Sequence, residues 1–536
     1  MTDRRRRLLG HSWAQLLLVL VVVVLGARAS TRTFARLDLT ADQRYSLDLS
    51  TRQIMGRLER PLIARVYFTR GLQAPYNNHE QLLVDRLEDL RAYSRGLMAV
   101  EVQDPTFRKE LEDEARRFGI EPIQYRYQSA AVTEMRQVYM GLALVYGDRE
   151  EVIGAVTNTD TLEYELARAV KKLVVDEEPR VIGWSTGHGE PDLATGTGPL
   201  EALRNRLGED GPLASVPLGG AGLIPDEVDA LFVVGPQKPL SERALWQLDQ
   251  FLMRGGALAV FLSNTRPDLR TLRPVSVYHG LDLLMGHYGV QVNRDVVVDR
   301  TQNGVMRFPA RQGRSIVQLP VNYPLIPRAT VLNPESPVTR GLDSMLFPFT
   351  SSLMVAEALA PEVSASVLVS SSAASGRIRG VRTIDPTAYK VVAPGEERGS
   401  FPLVVALTGA WPSWFADREI PAPPAESGGA AEDPATRLRT GAPTRLVVSG
   451  SADMVANNLP FVLNLADWLV QDESLIAIRS KVVKLPTLAP QDEGSTTLLK
   501  LANLLGGPLL LLLVGGVRWW LRRAGGRGPA DREAAA

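Results

Sequence analysis

The chain has 536 residues, 45% hydrophobic and 22% charged, with 60 basic residues balanced by 60 acidic ones. That balance leaves no global field for nucleic acid. The absence of cysteine excludes disulfides, thiolate catalysis and cysteine-ligated metals. At ~150 residues per domain the length predicts about three soluble domains.

Both ends are apolar. Arg4 to Arg7 precede a run ending Leu16 to Leu25, with Ala27-Arg28-Ala29 behind it. Residues 1–30 therefore read either as a transmembrane anchor or as a signal peptide cut before Ser30. Near the other end, Leu501 to Val517 is apolar or small apart from Asn503, and Trp519, Trp520, Arg522 and Arg523 follow. As a helix, Leu498 to Leu521 covers roughly 36 Å, enough to cross a bilayer. Arginines at both flanks place both termini in the cytoplasm and the intervening region outside it. An exported chain without cysteine suits the bacterial inner membrane and periplasm. Residues 481–497 are then a linker and 522–536 a cytoplasmic tail.

Along the chain, Ser46 to Leu58 predicts a helix stopped by Pro61, and Leu62 to Phe68 a strand. Leu82, Leu83, Leu87, Leu90 and Tyr93 recur at helical spacing, and Gly96 ends that helix. Leu97 to Val102 is a strand and Thr106 to Phe118 a helix. Val138 to Tyr146 and Glu151 to Val156 are strands joined at Gly147-Asp148, a hairpin signal. The order β-α-β-α-β-β predicts a thioredoxin-like α/β layer over residues 31–178. Without cysteines it serves packing or recognition. Asp160-Thr161-Leu162-Glu163 reads as a capping box for the helix behind it, and Glu177-Glu178-Pro179 as the domain boundary.

The second domain spans 179–480. Arg180 to Ser185, Ala230 to Gly235 and Ala257 to Leu262 are short, almost wholly apolar strands. A helix near Pro199 to Leu207 follows the first. Ser241 caps another with Leu245, Leu248 and Leu252 inward and Gly255-Gly256 at its end. Strand, helix and strand make a right-handed parallel βαβ unit, with helices on both faces of the sheet. Val296 to Val298, Ser364 to Val369, Phe401 to Leu407 and Arg445 to Ser449 are further strands. Pro320 to Pro337 predicts an extended surface excursion. Residues 420–444, rich in Pro, Ala, Gly and acid, predict a disordered insertion. Asn457-Asn458-Leu459-Pro460 opens a last helix.

The strongest local motif is Gly187-His188-Gly189-Glu190-Pro191-Asp192, beyond the carboxyl end of a parallel strand, where open α/β sheets bind ligands. Gly187, His188, Gly189, Glu190, Asp192 and, in the turn after Ser449, Asp453 are the ligand-binding candidates. His188 could act as acid or base oriented by Glu190 or Asp192; the bland alternative is a glycine-permitted tight turn. Ser449 or Ser451 with His188 and Asp453 would compose a triad, but the Gly-x-Ser-x-Gly elbow is missing. His279 and His287 are too far apart for an i, i+4 metal pair, so no metal site or cofactor is expected. No Gly-x4-Gly-Lys-Ser/Thr occurs, so this chain does not hydrolyse ATP through a P-loop. Trp411, Trp414 and Phe415 form either an exposed contact patch or the packing under a loop.

Several segments resemble the gliding-motility-associated (GldG-type) auxiliary proteins of ABC transporters. They are Tyr45 to Ser50 with Leu58 to Leu62, Gly187 to Glu190, Val233 to Pro236 with Gly255-Gly256, Leu446 to Asp453, and Asn464 to Leu469. The resemblance implies an exported region with a glutamine-amidotransferase-like (Rossmann-like) α/β domain. It also implies a membrane complex with separate permease and ATPase subunits. Gly450-Ser451-Ala452-Asp453 departs from the Gly-Asp-Ser-Asp pattern expected there, and the resemblance carries no catalytic residues. The expectation is a non-catalytic, substrate-binding auxiliary subunit held in the bilayer, engaging an envelope or extracytoplasmic substrate and no nucleic acid. The alternatives are a membrane-anchored envelope hydrolase and a structural scaffold.

Overall fold

A computed structural model describes residues 46–128, 133–159, 161–175, 180–195, 197–312, 315–392, 395–424 and 434–470, with residue 478 and short pieces between 505 and 520. The N-terminal apolar segment, Asp160, the boundary Glu177-Glu178-Pro179 and the centre of the expected insertion lie outside the described residues. The protein is mixed α/β with several sheets.

The first layer contains α1 (Leu49–Gly56), β1 (Leu62–Phe68), α2 (His79–Tyr93), β2 (Met98–Gln103), α3 (Lys109–Arg117), β3 (Ile123–Gln128), β4 (Thr133–Val138), β5 (Met140–Tyr146), β6 (Arg149–Ile153) and α4 (Leu162–Val174). Its sheet runs β2-β1-β5-β6, with β1 parallel to β2 and antiparallel to β5. Alternation along β1 sorts the core. Leu62, Ala64, Val66 and Phe68 face α1, α2 and α4, while Tyr67 faces Ala115 of α3 together with Ile120 and Tyr139. The expected strand from Val138 to Tyr146 breaks at Tyr139. There Thr69 closes the ladder, its N–H donating to Tyr139 O and its hydroxyl accepting from Tyr139 N. Ahead of that break β3 and β4 pair as a separate ribbon, which the sequence reading missed.

The Asp160 half of the expected capping box lies outside the described residues, and Glu163 has a second role. It accepts from Asp48 N at 2.6 Å and Thr51 Oγ1 at 3.1 Å, closing the amino end of α1 from 115 residues away. The α1 helix is thereby fastened to α4. Ile478 is buried in this same first core, so the chain returns there after the second domain.

The second domain is built on an eight-stranded sheet. Its strands are β7 (Val181–Thr186), β8 (Leu213–Pro217), β9 (Val228–Val234), β10 (Ala257–Phe261), β11 (Val331–Leu332), β12 (Ser364–Ser370), β13 (Pro402–Gly409) and β14 (Thr444–Ser449), in the order β11-β12-β13-β14-β10-β9-β7-β8. The pairs β14-β10, β10-β9, β9-β7 and β7-β8 are parallel, and β13 begins an antiparallel flank. Trp184, Phe232, Phe261 and Val447 point to one face, with α5 (Pro199–Asp210) and the helix Leu459–Leu469 over them. Leu231, Val233, Leu258, Val260 and Val448 point to the other, under α6 (Glu242–Met253) and α7 (Asp282–His287). Both faces are therefore dry, as unbroken apolar strands require. Ser241 caps α6 as expected, accepting from Ala244 N at 3.2 Å.

Residues 264–400 supply a smaller core. The expected excursion from Pro320 is instead part of strand Ser315–Ala329, which pairs antiparallel with Asn303–Gln312 and buries Tyr323 and Leu325 completely. Proline is tolerated because these residues serve neighbouring segments through carbonyls, which proline keeps: Pro324 O accepts from Asp299 N and Pro327 O from Phe347 N, each at 2.9 Å. Asp299 anchors this core, accepting from Thr301 N, Gln302 N and the hydroxyls of Ser372 and Ser375. Burial works to raise its carboxyl. The donors led by Gln302 N–H and the Ser372 hydroxyl outweigh that and hold it below the ordinary value.

The expected disorder over 420–444 fails at both described ends. Arg243 donates to Pro421 O at 3.2 Å. Gln250 of α6 exchanges two hydrogen bonds with Leu438, accepting from its N–H at 2.8 Å and donating to its carbonyl at 3.1 Å. Beside it the fully buried Asp249 accepts from Tyr288 Oη (2.6 Å), Ser413 Oγ (2.7 Å), Trp414 N (2.7 Å) and Gln250 Nε2 (2.9 Å). Trp411 and Phe415 are buried, so the aromatic cluster is chiefly packing under the loop.

Among the described residues no helix is long and apolar enough to cross a membrane. Most of Leu498 to Leu521 lies outside them; Leu512 to Val517, Trp519 and Trp520 are helical there and exposed.

Two outcomes follow. Asp249→Ala strands three or four buried donors and lowers unfolding stability by about 3–5 kcal/mol, read by chemical denaturation, with faster proteolysis between 411 and 444. Asp299 has a depressed folded pKa, so its contribution is present above the ordinary carboxylate value of about 4 and lost as pH falls through the lower folded value. Asp299→Asn therefore lowers stability at pH 7 and flattens its decline in acid, measured by unfolding at pH 7 and below pH 4.

Candidate functional site

The strand order reverses between β7, which continues outward to β8, and β9, which continues the other way to β10. Open sheets place ligands at such a point, beyond the carboxyl ends of the two strands. The turns there are Gly187 to Asp192 after β7 and Gly235 to Lys238 after β9.

These turns grip each other. His188 O accepts from Gln237 N and Lys238 N, each at 2.9 Å. Gly189 has φ +83°, and a Cβ on it would lie 3.3 Å from Gln237 Cβ. The glycine is needed both for the left-handed backbone and for the close approach. Glu190 folds back under the turn, with its side chain 1% exposed. It accepts from His188 N at 2.7 Å and Ser185 Oγ at 3.2 Å. His188 Nδ1 stands 3.9 Å from Glu190 Oε1 and is buried with no hydrogen-bond partner. Trp184 Nε1 donates to Pro191 O at 2.9 Å. Asp192 points away and closes the next turn; the Thr195 hydroxyl at 2.6 Å and the Ala194 N–H at 2.8 Å hold its carboxyl below the ordinary value. The six-residue motif is thus a tight turn whose polar groups are largely used internally, with His188 Nδ1 left buried and unpaired.

The turn after β14 lies on the far side of β10. Ala452 N donates to Ser263 Oγ at 2.9 Å, and a Cβ on Gly235 would come within 2.8 Å of Ala452 Cβ. Ser449 and Ser451 are fully buried. Ser451 Oγ donates to Pro348 O at 2.7 Å and Ser449 Oγ to Ser451 O at 3.3 Å. Neither hydroxyl is available as a nucleophile, so the triad does not assemble. A Cβ on Gly450 would meet Ser351 O at 2.0 Å, because residues 348–352 lie directly over this turn. Asp453 is exposed, yet desolvation by the surrounding protein raises its carboxyl above the ordinary value. The two histidines bond locally: His279 Nε2 with Asn264 Oδ1 at 3.1 Å, His287 Nε2 with Pro412 O at 2.8 Å. No group of acids and histidines among the described residues could hold a metal ion.

A family profile described as "ABC-type uncharacterized transport system" matches residues 179–474, more than half of the chain. The chain belongs to this family of transport-system auxiliary components. A second profile, a domain of unknown function, matches residues 41–145. An uncharacterized protein of Borreliella burgdorferi is 23% identical over 398 residues, covering 72% of this chain and 74% of that protein. Among solved structures, the "mmIFT52 N-terminal domain" aligns over 54% of this chain and 97% of its own at 17% identity and a TM-score of 0.31. An exo-beta-1,4-mannosidase from an Opitutaceae bacterium aligns over 77% and 51% at 12% identity and a TM-score of 0.21.

Sequence reasoning missed a second concave surface. A recess of ≈ 800 Å³ lies between α7, the ribbon of Val290–Val292 with Leu353–Val355, and Trp414. The available signal was Leu283-Leu284-Met285, three apolar residues in one short helix, of which one must face outward.

The turn chemistry gives a test that separates structure from catalysis. Glu190→Ala leaves the Ser185 hydroxyl and the His188 N–H unpaired and lowers stability by about 2–3 kcal/mol. His188→Ala, which removes a ring with no hydrogen bond, costs markedly less. Paired denaturation curves check the order; a catalytic turn would show activity lost in both with stability nearly unchanged.

Proposed function

We propose that this chain is a non-catalytic subunit of an ABC-type transport complex, tethered to the bacterial inner membrane and coupled to separate permease and ATPase subunits. The family match over residues 179–474 carries the reading. The sequence supports it in three further ways: it has no P-loop, its ends are apolar with flanking arginines, and Trp519-Trp520 suits a membrane interface. The exposed helical residues Leu512, Leu513, Val514 and Val517 favour burial in lipid over exposure to water. Both termini are cytoplasmic in this reading and the body is periplasmic. The first layer is thioredoxin-like, on the strength of its β2-β1-β5-β6 order, and the second glutamine-amidotransferase-like, on its parallel sheet with helices on both faces. The internally bonded turns at Glu190 and Ser451 favour binding or coupling over hydrolysis. A link to gliding motility rests on the sequence resemblance alone.

The test is purification of the full chain in mild detergent, followed by intact-mass analysis. A P-loop ATPase and a polytopic permease at fixed ratio with this chain are the expected companions, and removing the chain should alter the ATPase rate of the reconstituted complex. A chain recovered alone, with the ATPase rate indifferent to it, would sink the reading.

A further inference from the structure

The recess beside α7 is built differently from the clasped turns at the sheet's carboxyl edge. Its floor is a two-stranded ribbon in which Gln291 and Met354 are register partners on the outward face, while Val290, Val292 and Leu353 point into the core. Leu283 of α7 is 70% exposed and Met354 is 51% exposed. Both line the same recess, together with Gly286, Gly289 and the half-buried Trp414. Exposed apolar side chains gathered in a concavity mark a contact surface, whereas single ones scattered over a protein do not.

The rim is cationic. Arg294 and Arg379 line the recess with side chains 71% and 73% exposed. Arg418 stacks on the Trp414 ring at 3.6 Å. Within the recess the single carboxylate is Asp282, 3.4 Å from Arg294 and more deeply set; Glu397 lies 3.7 Å from Arg379 outside it. The whole chain carries 60 bases and 60 acids, so this local excess is a property of the place and not of the composition. Guanidinium groups over an aromatic ring and beside thioether and aliphatic side chains accept carboxylates and apolar groups together.

We propose that this recess binds an acidic polypeptide segment of a partner protein, with an apolar or aromatic side chain seated between Leu283, Met354 and Trp414 and flanking carboxylates on Arg294 and Arg379. A polypeptide is favoured over an anionic bilayer because the apolar groups line a hollow, and a bilayer engages apolar groups that project. The proposal does not rest on the transport reading, and its test reads this surface alone.

The probe is a fluorescent peptide with Phe-Leu set between pairs of glutamates, titrated by anisotropy into the full-length protein in detergent at low salt. A second peptide replaces each glutamate with lysine. The acidic peptide is expected to bind at least tenfold more tightly than the basic one, and to weaken as salt rises. Met354→Glu, and separately Arg294→Ser with Arg379→Ser, should each weaken it at least tenfold, with the circular dichroism unchanged. Leu283→Ser provides a second apolar variant should Met354→Glu fail to fold. Equal binding of the two peptides, or affinity unmoved by these substitutions, overturns the proposal. So does displacement of the acidic peptide by anionic phosphatidylglycerol vesicles but not by an unlabelled copy.

Discussion

The parallel sheet of the second domain must be dry on both faces, and most of its surroundings follow from that need. Successive residues of β9 and β10 divide between two cores: Phe232, Ala259 and Phe261 on one side, Leu231, Val233 and Val260 on the other. Apart from Asp229 at the start of β9, every position of these two strands is apolar, so no face is left for water. Helices α5 and Leu459–Leu469 cover one side, α6 and α7 the other. The carboxyl edge of the sheet is covered too, by residues 348–352 over the turn at Gly450 and by the clasp between His188 O and Gln237-Lys238. An edge closed in this way has lost the open crevice that usually makes a switch point a ligand site. Binding surface is displaced outward, onto what the insertions build.

What could be read from the sequence is what local pattern decides. The apolar runs of β7, β9, β10 and β14, the Ser241 cap and the hairpin at Gly147-Asp148 are each determined within a few residues of themselves. Failures occur where the deciding partner is distant. Glu163 has the spacing of a capping-box acid, and nothing near it announces that its oxygen also meets Asp48 N and the Thr51 hydroxyl 112 to 115 residues away. The segment 434–444 has a composition that argues for disorder, and nothing in it announces that Gln250 will meet both backbone groups of Leu438. Proline at 320, 324 and 327 argues against a strand. It cannot reveal that the carbonyls of Pro324 and Pro327 are claimed by Asp299 and Phe347.

The candidate site divides along the same line. Gly189 was legible as a turn glycine, because only a residue without Cβ holds φ +83° against Gln237. The role of Glu190 was not. A carboxylate two residues from a histidine suggests an acid–base pair, and in the folded chain it instead satisfies the backbone N–H of that histidine and a buried hydroxyl. Its 3.9 Å separation from His188 Nδ1 is too long for a hydrogen bond. Charge in this turn is spent on holding its shape. The family match, covering the whole sheet, assigns the domain to transport without requiring chemistry from it.

The route of the chain bears on how such a subunit would feel its membrane partners. Leu47, Ile54 and Met55, at the start of the described body, are buried in the first core, and Ile478, near its end, is buried in the same one. The second domain, from Val181 to Leu469, is therefore a loop-out from a layer that both ends of the body enter. A displacement carried along either end arrives first at that layer. At the amino end it arrives at α1, whose N-terminus is held by the Glu163 carboxylate, and Glu163 belongs to α4. Arg168 and Lys172 of the same helix reach Glu209 of α5 in the second domain, the first at 3.1 Å. Helix α4 thus touches α1 through Glu163 and α5 through Arg168, within two turns of each other on a rigid element. Under the proposed coupling to a permease, α4 is the element through which motion of the ends would pass to the large sheet.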